Sequence, residues 1–157
     1  MDLLRNELHH YGEILVLLDQ QQEFVISQAA DDVIRSVTGI NQQMTVIQQA
    51  RREREACQAQ VARTLREPED SAFATLIPRL PEAVRSAVAA LVRENNDLLI
   101  RVQQRARQNH LLLSRSLEMM QQFIHALLPA PPPTTYNGTG QLQSPEAPAL
   151  PVFQAVG

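Results

Sequence analysis

The sequence predicts an all-α fold. It reads as an elongated antiparallel helical bundle, an N-terminal helical hairpin plus one long C-terminal helix, with a Pro-rich extended tail. Three observations carry this. Apolar residues recur every three or four positions through most of the first 128 residues, the period of amphipathic helices. Gln, Ala, Leu and Arg dominate while aromatics make up 4% and Trp is absent, the composition of long helices and coiled coils. From residue 129 onward the chain changes character, and most of its ten prolines crowd into that last stretch.

The elements follow in order. Over residues 2–26 a stripe of Leu4, Leu8, Tyr11, Leu15, Leu18 and Val25 marks the seam of a first helix. Gly12 lies inside it and should cost about 1 kcal/mol relative to Ala, so packing has to offset it. The pattern loses phase at SQAADD, residues 27–32. Ser27 and Asp31 both suit a helix N-cap there, because their side-chain oxygens can accept from free backbone N–H groups. A turn is expected, with a kinked continuous helix as the alternative.

The second helix, about 31–66, carries Val33, Val37, Ile40, Met44 and Ile47, then Val61 and Leu65. Its 4-3-4-3 rhythm is that of helices wound around one another. EPEDS at 67–71 ends it, since Pro68 breaks the hydrogen-bond ladder. Ser71 could cap a short helix over 72–77. The longest element, 81–128, opens with Pro81 and Glu82, both suited to a helix start. One stripe then runs Val84, Val88, Leu91, Asn95, Leu98, Val102, Ala106, Asn109, Leu113, Leu117, Met120, Ile124 and Leu127. Residues 1–128 are therefore expected to form one helical domain, and 129–157 a flexible Pro-rich tail.

Charge is uneven. Residues 1–50 hold seven acids and two arginines, while residues 51–66 hold five arginines and two glutamates. Antiparallel neighbours could pair these blocks. The overall formal charge of −3 offers no general attraction to nucleic acid or anionic lipid. The cluster Arg51, Arg52, Arg54, Arg63 and Arg66 alternates with Glu53 and Glu55 and lacks interleaved aromatics, so it reads as a solvated helix face rather than a nucleic-acid patch.

No catalytic constellation is legible, and the chain is not expected to be an enzyme. His9, His10, His110 and His125 lack metal-ligand spacing, so neither a metal nor another cofactor is expected. His9 and Glu13 are spaced to meet as a surface pair. The single cysteine, Cys57, excludes an intramolecular disulfide and fits a reducing compartment. Acids among the first residues argue against a signal peptide, and no apolar run is long enough to span a bilayer. A cytoplasmic protein without membrane insertion is expected.

Asn95 and Asn109 stand two heptads apart on the last stripe. A polar residue on such a seam weakens packing but selects register. The other reading is that this face is only partly occupied and receives another helix. On these residues a resemblance emerges. LLRNELHHYGEILVLLDQQ in the hairpin, LVRENNDLLIRVQQRARQNHLLL in the long helix and the later TTYNGTGQL resemble the FlgN-type flagellar export chaperones over about residues 1–142.

The resemblance implies a cytoplasmic bacterial chaperone of flagellar type III export. Such a protein binds hook–filament junction proteins, prevents their premature assembly and delivers them to the export gate and export ATPase complex. Carried over, the client face falls on Leu98, Val102, Leu113, Leu117, Met120, Phe123, Ile124 and Leu127. Tyr136, the tyrosine of the C-terminal region, would dock on the export gate. The alternative is a generic coiled-coil adaptor or structural protein that self-associates, and a weak homo-oligomer stands with it.

Overall fold

The computed structural model describes residues 1–127. Four α-helices account for nearly all of them: α1 (Asp2–Ile26), α2 (Ala30–Thr64), α3 (Phe73–Leu76) and α4 (Glu82–Leu127). A 3₁₀ turn at Ile77–Arg79 joins α3 to α4. Among the described residues there is no strand, so the all-α class holds. The expected Pro-rich tail, the boundary at residue 128 and Tyr136 all lie outside the described residues. The chain forms two compact units, Met1–Leu117 and Glu118–Gly157.

In the first unit, long-range bonds give the directions of the helices. Gln21 donates to Ser36 at 3.2 Å, Gln43 to Glu13 at 2.8 Å, and Arg54 to Glu7 at 2.7 Å. The α1 number falls as the α2 number rises, so α1 and α2 are antiparallel. Against α4 the order is reversed. Asn95 donates its amide to the Leu4 carbonyl at 3.0 Å, and Asn109 donates to the Leu18 carbonyl at 2.7 Å. Both helices advance fourteen residues between these contacts, so α1 and α4 run parallel. A straight α-helix drifts by about 20° per heptad, so equal steps over two heptads mean that the pair supercoils.

The core lies where three helices meet. Tyr11, Ile14 and Leu18 of α1 pack with Ile47 of α2 and Val102 of α4, and Leu15, Ile40, Leu98 and Leu99 close around them. The α1 seam is rotated from the expected one. Leu4, Glu7, Tyr11, Ile14, Leu18 and Gln21 are buried, while Leu8 and Leu15 are only half-buried and Val25 lies outside the core. Two polar residues occupy seam positions because each finds partners. Glu7 accepts from Tyr11 and Arg54, and Gln21 bonds Ser36 and Asn109. On α2 the expected stripe is split: Ile47 is buried, but Val37 and Met44 are exposed.

The helix ends differ from the caps read in the sequence. Neither Ser27 nor Asp31 caps α2; the N-cap is Ala29, with no side-chain hydrogen bond, and Asp31 falls in the first turn. Ser27 instead donates back to the Phe24 carbonyl. Ala72, not Ser71, precedes α3. Ends of α1 and α2 close in the same way. Ala29 N–H bonds the Phe24 carbonyl and Gln28 N–H the Val25 carbonyl; Glu67 bonds Ala62 and Arg66 bonds Arg63. These are Schellman motifs with Gln28 (φ 58°) and Arg66 (φ 59°) in the left-handed position that glycine usually fills. The turn at 27–29 is therefore tight, not a kink. At the other end, the Pro81 carbonyl accepts from Val84 and Arg85, placing Pro81 at the cap of α4.

Candidate functional site

The last turns of α4 carry an exposed apolar face. Within the second unit, near 100° per residue, Met119, Met120, Phe123, Ile124 and Leu127 fall within an arc of about 140°. Glu118, Gln121, Gln122 and His125 fill the opposite side. All five apolar residues are exposed, from 46% at Ile124 to 66% at Leu127. An apolar arc this exposed gains from being covered, since fully burying one such side chain is worth about 1.5–3 kcal/mol. Two of the five are methionines, whose unbranched thioethers adapt to differently shaped partners.

The eight residues read as a client face do not share one environment. Within the first unit, Val102 is buried in the core and Leu98 packs half-buried against it. Leu113 is half-buried and Leu117 is exposed. Within the second unit, Met120, Phe123, Ile124 and Leu127 are exposed. The structure thus spends Val102 on internal packing. It also exposes Leu111, at 67%, which the sequence reading passed over because Leu111 sits off the heptad stripe. Its only signal was its place in the LLL run.

The asparagines are occupied inside the first unit. Each partner is a carbonyl oxygen, so each amide must turn its Nδ2 toward α1, and the Asn95 and Asn109 Oδ1 atoms are left buried without partners. This face of α4 is taken by the protein's own α1. Its opposite helices are linked by a second polar cluster. Arg54 bonds Glu7 at 2.7 Å and Gln58 at 2.7 Å, and its guanidinium stands 5.8 Å from the Phe73 ring centroid. Gln58 in turn donates to the Ser71 carbonyl, tying the α2–α3 loop to the same cluster. The acidic and basic blocks of the sequence meet here, at Glu7 and Arg54.

The remaining arginine-rich face is broken up by ion pairs: Arg51 with Glu55 at 3.3 Å and Arg63 with Glu69 at 2.9 Å. His9 and His10 both reach Glu13, at 3.3 and 2.9 Å, and His10 above all holds that carboxyl below its usual range. An apolar cleft of about 200 Å³ at the end of the first unit is lined by Leu3, Val61, Leu76, Leu80, Val84 and Val88, with no convergent charged groups beyond Arg54. Among the described residues no helix is long and apolar enough to cross a membrane.

The family model described as FlgN protein matches residues 1–144. No curated protein and no solved structure matches the chain.

Proposed function

The chain belongs to the FlgN family of flagellar export chaperones, and from that premise we propose that it acts in the bacterial cytoplasm on hook–filament junction proteins. In this reading it covers their apolar terminal helices, prevents premature assembly and delivers them to the export gate and export ATPase complex. The family is one of chaperones rather than enzymes.

The observation that carries the reading is the uncovered apolar arc of the last α4 turns. A client helix laid along it would bury Leu117, Met120, Phe123, Ile124 and Leu127 in the helix-in-groove manner. Leu113 borders that face. Leu98 and Val102 would join only after α1 lifts from α4, because their side chains pack against α1 and α2 in the free protein.

Calorimetric titration with the C-terminal segments of hook–filament junction proteins tests this. One-to-one binding at micromolar affinity or tighter is expected. Leu117→Asp combined with Phe123→Asp should abolish it while helix content by circular dichroism persists, since both side chains are exposed and hold no core contact. Unchanged affinity in a normally folded double variant would remove the client face from this helix end. Gate docking is assigned to Tyr136: Tyr136→Ala should keep client affinity and lose affinity for the export gate. Equal gate affinity for variant and parent would refute that role.

A further inference from the structure

We propose that the protein exchanges its α1 helix with a second copy of itself, forming a reciprocal dimer in which α1 and α2 run as one continuous helix. The inference is independent of the chaperone reading and rests on the first unit alone.

The turn is the first argument. Only Ser27, Gln28 and Ala29 separate α1 from α2, and the reversal depends on Gln28 at φ 58°. A left-handed residue with a Cβ costs about 1–2 kcal/mol. The surrounding FVISQAADDV contains neither Gly nor Pro, and Gln and Ala are good helix formers. Locally, then, nothing in the segment supplies the glycine that such a turn prefers. What folds it back is the packing of α1 on its neighbours.

That packing transfers intact to another copy. α1 is held by Glu7 on Arg54, Gln21 on Ser36, Glu13 on Gln43, and by its Leu4 and Leu18 carbonyls on Asn95 and Asn109. None of these contacts involves the turn. Another copy's α1, arriving in the same orientation, presents the same groups and the same carbonyls.

Uncovered apolar surface beside the turn supplies the gain. Ile26 and Ile34, which flank the turn, are 69% and 68% exposed. Exchange places the two hinges side by side about a two-fold axis, continuous with the α1–α2 interface already formed. Glu23, Asp31 and Asp32 from each copy gather near the axis against Arg35, so added salt favours the dimer.

The experiment uses the full chain, refolded at high concentration and then separated by size with mass detection. A double-mass species is expected, increasing with salt. Gln28→Gly, which adopts the left-handed turn freely and disfavours a continuous helix, should raise its dissociation constant by at least about tenfold, because each dimer relieves two such residues. Exchange is distinguished from surface association by Gln21→Cys with Ser36→Cys in a Cys57→Ser background, a pair in contact across α1 and α2. After oxidation the double-mass species should stay covalently doubled on a denaturing, non-reducing gel. A chain that remains monomeric throughout overturns the proposal. So does a dimer that falls to single mass on that gel, or one indifferent to Gln28→Gly.

Discussion

Tyr11 and Glu7 lie one turn apart on α1, both buried, with the phenol donating to the carboxylate at 2.9 Å. Burial pushes the Tyr11 hydroxyl from 10.0 up to about 12; its bond to Glu7 and the carboxylate's charge push the same way, against Arg51 and Arg54. The consequence for stability has a definite sign. Below about pH 10 the phenol is protonated in both states and its contribution is intact. Between 10 and about 12 the unfolded chain loses the proton first, so stability falls as pH rises through that window. Tyr11→Phe should flatten this decline in urea unfolding measured across the window. At neutral pH it should cost about 1–3 kcal/mol, because a buried carboxylate loses a donor. Equal pH slopes for variant and parent would contradict the assignment.

At the scale of the element, α1 carries a glycine that its surroundings do not use. A Cβ built at Gly12 meets nothing within 4 Å. The sequence suggested that packing compensates for this glycine, and the first unit supplies no such contact. Gly12→Ala is therefore expected to raise stability by about 0.5–1 kcal/mol through the unfolded chain's lost freedom. Thermal or denaturant unfolding checks it, and a lowered midpoint would mean that the space beside Gly12 is filled in solution. The end of α2 offers the complementary change. Arg66 holds a left-handed backbone at φ 59°, so Arg66→Gly should stabilise by about 1 kcal/mol, the reverse of glycine's effect inside a helix.

For the molecule as a whole, the parallel seam between α1 and α4 turns on two asparagines whose consequences differ. Asn95 donates only to the Leu4 and Leu91 carbonyls. Such helix carbonyls retain the N–H four residues on. Asn95→Val, which continues the pattern of Val88 and Val102, should raise stability by about 1 kcal/mol, since a buried orphan oxygen disappears and no acceptor is stranded. Asn109 also donates to Gln21 Oε1 at 3.1 Å, inside the core. Asn109→Val leaves that oxygen without this donor and should be neutral or destabilising. A thermal scan of both variants tests the contrast. Similar shifts for the two would show that the orphan oxygens do not govern this seam.

How much of this was legible depends on how far each cause reaches along the chain. The all-α class and the amphipathic character of the last α4 turns follow from residue spacing within a few turns, because helical period and breaker residues act locally. The polar positions Asn95 and Asn109 could be picked out in the same way, but not their partners. Glu7 and Gln21 were invisible as core residues, since a polar side chain enters a core only when a donor or acceptor waits there, and those partners come from α2 and α4. Val102 and Leu117 share one stripe in the sequence, yet one is buried and the other exposed. By itself, the sequence determined that helices form, which sides are apolar and that the chain belongs among the FlgN-type chaperones. Only the tertiary structure decided which apolar residues are spent internally and that α4 runs parallel to α1, because both depend on contacts between residues as many as 91 positions apart.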